Sequence, residues 1–198
     1  SPYLMQPAFL AAVFAYTSLL IPLIEEALKP LGLWLLAGRR LSPAQGFTGG
    51  LISGAGFALF ENLSALSAGG PDWTLLASLR ITTALLHVLT TGLVGWALAH
   101  AWTNKRFLRL GVTYSAAVIL HGVWNALGIA SFSLPALNLT GQLASRGDLY
   151  TTLTLVGLGV LTVVNFILYN VMNRRLQVKP EANLAPADQP VEITPSLD

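Results

Sequence analysis

An all-α, multi-pass transmembrane bundle of about five or six helices, with a polar site between them, is the fold class that three observations predict. Hydrophobic residues make up 54% of the chain, charged residues only 10%, and the mean hydropathy is +0.62. Apolar runs recur up to residue 176, and a bilayer crossing takes roughly 20 such residues. Basic residues sit at the ends of these runs and not along one face, so they report topology and exclude a nucleic-acid surface. The chain has 198 residues and no cysteine, which leaves room for one bundle and excludes disulfides, nucleophilic cysteine and cysteine-ligated metal.

Taken in order, the spans fall near residues 3–21, 22–38, 45–68, 73–100, 107–131 and 149–173. The first two form one apolar stretch, long for a single crossing, in which Pro7, Pro22 and Pro30 offer bending points; it is either one span or two. Arg39 and Arg40, then Lys105, Arg106 and Arg109, then Arg174 and Arg175 mark alternate ends, which the positive-inside rule assigns to the cytoplasm. The loops "GGPDW" and 132–148 then face outward. Residues 1–176 form the bundle; residues 177–198, polar and proline-rich, read as a disordered cytoplasmic tail. The chain begins at Ser1 without a methionine, which points to a further upstream segment, and no signal-peptide pattern is present.

Polar groups interrupt four of the spans: Glu25, Glu26 and Lys29; Glu61 and Asn62; Arg80 and His87; His121 and Asn125. One ionised side chain at mid-membrane costs about 2.5–3.5 kcal/mol on insertion scales, so three charged glutamates cost about 7–10 kcal/mol unless paired. Glu25 pairing with Lys29 one turn on, or a neutral hydrogen-bonded carboxylate, explains one such residue alone. Depth argues for a set. Counted from the outer ends, Glu26 and Glu61 lie about 10 Å down, His121 about 15 Å and His87 about 20 Å. Arg80, Thr83, His87 and Thr90 or Thr91 draw one stripe, His121 and Asn125 share a face, and so do Phe57 and Glu61. The small residues of "GGLISGAG" and "GLVGWALA" allow close helix approach.

In order along the chain these residues read E-E-x-x-K, F-x-x-x-E-N, a mid-helix R…H, and H-x-x-W-N. The pattern, over residues 20–130, resembles the PrsW family of intramembrane proteases. On that resemblance the site comprises Glu25, Glu26, Glu61, His87, His121 and Asn125, supported by Lys29, Phe57, Asn62, Arg80 and Trp124. The family is similar in turn to the CAAX prenyl endopeptidases and bacteriocin-processing proteases, which carry histidine where Glu61 stands here. The resemblance implies an intramembrane endopeptidase, cutting single-span membrane proteins such as anti-sigma factors near the extracytoplasmic side.

Peptide hydrolysis requires an activated water, a stabilised oxyanion and a protonated leaving amine. No G-x-S-x-G is present, so a water nucleophile fits better than a serine. Glu25 or Glu26 is the expected base, with one facing the site and the other pairing with Lys29 or Arg80, since adjacent positions point about 100° apart. His87 orients the water and Glu61 assists; the prenyl endopeptidase resemblance implies that His121 and Asn125 donate to the oxyanion. No cofactor is favoured; a zinc ion would be held by His87, His121 and Glu61. His100 reads as interfacial, and Trp73, Trp96 and Trp102 as anchors. A non-catalytic scaffold binding partner helices, like the gamma-secretase scaffold subunit, and a proton-coupled transporter are the competing classes. Binding alone needs no such set, and no matching halves suggest transport. The expected setting is the cell membrane with the site in its outer half; no oligomeric state follows.

Overall fold

The computed structural model describes residues 6–67, 73–139 and 146–177, and every element among them is helical. α1 (Pro7–Ala15) passes through a π-helical turn (Tyr16–Leu20) into α2 (Ile21–Leu28), followed by short α3 (Leu31–Trp34). Then come α4 (Pro43–Ser67), α5 (Trp73–Asn104), α6 (Phe107–Leu139) and α7 (Gly147–Leu176). Among the described residues four stretches are long and apolar enough to cross a membrane: Ala8–Trp34, Leu76–Asn104, Phe107–Ser131 and Gly147–Leu176. The first takes the N-terminal stretch as a single candidate span by length and composition. α4 is comparably long but is diluted by glycine, serine, Glu61 and Asn62, and is not among the four.

One expectation changes, and two others lie beyond what the structure describes. Residues 132–139, expected in an outward loop, continue α6. The tail from residue 178 and most of "GGPDW" lie outside the described residues.

α5 is the central helix. In the apolar window of its span 61% of residues are buried, against 6% in the N-terminal rod and 11% in α7. The outer faces of those two rods carry Phe9, Leu10 and Phe14, and Val160, Val163, Phe166 and Ile167, all exposed as a lipid-facing surface requires.

Glycine brings α4 onto α5. A Cβ at Gly54 would stand 2.6 Å from the His87 carbonyl oxygen, and at Gly50 or Gly95 it would strike the backbone of the facing helix. With the backbones this close, Glu61, two turns beyond Gly54, comes level with His87 and Arg80.

Pro22 shapes the N-terminal rod. In the π-helical turn the Ile21 N–H bonds back to the Tyr16 carbonyl, so the next carbonyl, Thr17, would look to residue 22, which has no N–H. The Asn125 amide of α6 donates to it instead, at 2.9 Å. One turn away Gly122 presses against the Ser18 carbonyl, where any Cβ would collide. After α2, Ser53 of α4 donates to the Lys29 carbonyl, which the turn at Pro30 leaves free because the Leu33 N–H bonds to Pro30. The glutamates and Lys29 are thus pinned to α6 on one side and α4 on the other.

Candidate active site

Four helices deliver their polar residues to one place. Lys29 is its hub: Nζ lies 2.6 Å from Glu26 Oε1, 2.7 Å from His87 Nδ1, 3.3 Å from His121 Nδ1 and 3.6 Å from Glu25 Oε2. Both Lys29 and Glu26 have fully buried side chains. The ammonium also stands 4.9 Å above the Phe57 ring, which itself meets the His87 ring edge-on at 5.4 Å. His87 and His121 stack edge-to-face with centroids 5.0 Å apart.

Neighbours assign the tautomers. An ammonium only donates, so His87 Nδ1 accepts from Lys29 and the ring proton sits on Nε2, which faces Glu61 Oε2 at 2.6 Å. Glu61 Oε2 is also 2.9 Å from Arg80 Nη2, and Arg80 Nε donates to Asn62 Oδ1 at 2.8 Å. His121 Nδ1 donates to Glu26 Oε1 at 2.9 Å, so its Nε2 is left with a lone pair, 3.8 Å from Glu25 Oε2. Trp124 Nε1 donates to Thr83 Oγ1 at 3.0 Å, tying α6 to the polar stripe of α5.

Beside this cluster lies a cavity of about 450 Å³. Glu25, Glu61, Arg80, Thr83, His121, Trp124 and Asn125 line it, with Leu76, Leu79, Ile129 and Leu158 on the apolar side. Glu26, Lys29 and His87 lie behind its wall, 0–3% exposed. Of the two adjacent glutamates, then, Glu25 faces the cavity and Glu26 pairs with Lys29.

Glu25, Glu26, Lys29, Phe57, Glu61, Asn62, Arg80, His87, His121, Trp124 and Asn125 all converge here. One grouping differs. Among the described residues the set of potential metal donors is Glu25, His87 and His121, whose donor atoms lie within 4.8 Å of one another; Glu61, expected in that set, is instead engaged by Arg80 and His87. Glu25 Oε2 is buried and makes no aligned hydrogen bond within the protein; His87 Nε2, Glu61 Oε2 and Arg80 Nη2 are likewise without an aligned hydrogen bond and meet as ion-pair contacts. Two imidazoles and a carboxylate fit a divalent cation in type and spacing, provided that His87 Nε2 gives up the proton that faces Glu61. The sequence reading missed Thr17, which acts through its backbone carbonyl and leaves only the proline at residue 22 as a signal.

Helical spans enclosing a buried glutamate and histidine cluster that opens on a cavity define a polytopic membrane protein with a hydrolase-like centre. A family model described as "PrsW family intramembrane metalloprotease" matches residues 3–172, and the chain belongs to that family. No curated protein and no solved structure matches it. Membership implies intramembrane protease activity on a membrane-protein substrate within the lipid bilayer.

Proposed function

We propose that the chain hydrolyses a peptide bond of a single-span membrane protein, of the anti-sigma-factor kind, using a water activated between Glu25 and His121. The observation that carries this reading is the division of the cluster: these two groups line the cavity while Glu26, Lys29 and His87 are sealed behind it. Glu25 Oε2 and His121 Nε2, 3.8 Å apart, present two acceptors to one water. Glu25 takes the proton as the water attacks and returns it to the leaving amine. Because its Nδ1–H is committed to Glu26, His121 accepts at Nε2 and serves the water, not the oxyanion. Oxyanion donors remain on the cavity wall in Arg80 and in the second N–H of Asn125, whose first is spent on Thr17. His87 and Glu61 hold Arg80 in place, and Lys29 holds Glu26 and His87.

Glu25, His87 and His121 are the residues that would hold a zinc ion, and a bound zinc supplies Lewis acidity to the water at the site. The metal-free centre is favoured by the Lys29 ammonium against His87 Nδ1, which keeps the proton on the ring nitrogen a metal would need. Elemental analysis and chelation decide between them: less than a tenth of a zinc per chain, with cleavage surviving chelation, is the expected result. One zinc per chain, lost in His121→Ala, overturns the metal-free form and keeps the protease.

With the basic ends of the spans in the cytoplasm, the C-terminal tail is cytoplasmic and the site lies in the outer half of the bilayer. Glu61 stands about 9 Å from the end of α4 at Ser67, which supports that depth, while Glu25, about 14 Å from the Trp34 end of the N-terminal span, sets the inner limit of the site near mid-bilayer. There a substrate helix end can unwind and meet water. Mass mapping of the new termini in a panel of single-span substrates is expected to place cuts within about two helical turns of the outer surface. Cuts clustered at the cytoplasmic end contradict it.

A further inference from the structure

We infer that a second site, a cationic pocket formed between the turn after α3 and the corner between α5 and α6, binds the phosphate headgroup of an anionic phospholipid. The pocket has a volume of about 510 Å³ and is lined by Gly38, Arg39, Arg40, Trp102, Thr103 and Lys105. That volume is in the ~300–1,000 Å³ range of small-ligand sites. Three cations and no carboxylate line it. Among the described residues none of Arg39, Arg40 and Lys105 forms an ion pair.

Backbone geometry builds the pocket from two turns. Gly38, at φ 87, ends the turn after α3, and Lys105, at φ 56, makes the corner between α5 and α6. A lysine rarely adopts the left-handed region, and here it sets this cation opposite the two arginines. Position and floor identify the ligand. The membrane span of α5 ends at Asn104, so the pocket lies at headgroup level. Its aromatic wall, Trp102, packs edge-to-face on Trp34 at 6.1 Å, the kind of aromatic pair that anchors at the interface. A free phosphate has no use for that wall or that depth; a phospholipid uses both.

The test compares the full chain with two variants in phosphatidylcholine nanodiscs titrated with phosphatidylglycerol, with bound lipid read by native mass spectrometry. Arg39→Gln/Arg40→Gln/Lys105→Gln is expected to weaken retention about a hundredfold, as three interfacial charges imply. Arg174→Gln/Arg175→Gln removes two cations that do not line the pocket, and is expected to change it less than about threefold, because screening confines each charge to groups within about 8 Å. Equal losses in both variants show diffuse attraction only and overturn the site. Retention unchanged in the triple variant does the same. Inorganic phosphate is expected not to displace the lipid; displacement at matched concentration assigns the pocket to free phosphate instead. The mutated residues are exposed, so an unchanged thermal midpoint is expected, and Arg40→Gln alone repeats the test with a smaller perturbation.

Discussion

Glu25→Gln is expected to slow cleavage by about 10²–10⁴-fold with the bundle intact, the loss that follows removal of a positioned base. The amide is isosteric, and the side chain is 23% exposed at the cavity, so no buried network collapses. Glu26→Gln should behave differently, because its carboxylate accepts from both Lys29 and His121 with no exposure at all. There the first loss is stability, and the rate falls only as His121 loses its orientation. Cleavage rates and thermal midpoints on the same reconstituted samples separate the two. A Glu25→Gln protein that cuts at the wild-type rate sinks the assignment of the base.

Lys29→Met is expected to cost about 3–5 kcal/mol, because it leaves the Glu26 carboxylate buried without its counter-ion. For a chain of this size that lowers the thermal midpoint by roughly 10 °C. Removing the other charge as well, in Lys29→Met/Glu26→Gln, should recover most of the loss, since a buried pair deleted together leaves nothing unpaired. A single variant as stable as wild type shows that Lys29 does not neutralise the cluster. Activity should not return in the double variant, because His87 and His121 then lack the partners that fix their tautomers.

The sequence carried the fold because apolar length and basic punctuation are local signals: α4, α5 and α7 begin and end within a few residues of the expected bounds. It carried the membership of the polar cluster for a related reason, since charge within an apolar span is costly and therefore conspicuous at Glu25, Glu61, His87 and His121. What it could not carry is direction. Adjacent Glu25 and Glu26 have the same composition around them, and only the position of α6 decides that Glu26 meets His121 Nδ1 while Glu25 faces the cavity. The exchange of Glu61 for Glu25 in the donor set has the same origin, because the partner that claims Glu61, Arg80, lies on another helix. The end of α6 was misplaced because residues 132–139, with Pro135 among them, have the composition of a loop and yet remain helical.

The central claim is that this chain alone cuts a peptide bond with water at Glu25 and His121. Its most direct test is to place purified wild-type protein and one single-span substrate in lipid vesicles and weigh the products. The account predicts two fragments whose masses sum to the substrate plus one water, absent with Glu25→Gln and with His121→Ala. Intact substrate with the wild type, or the same fragments from both variants, contradicts it.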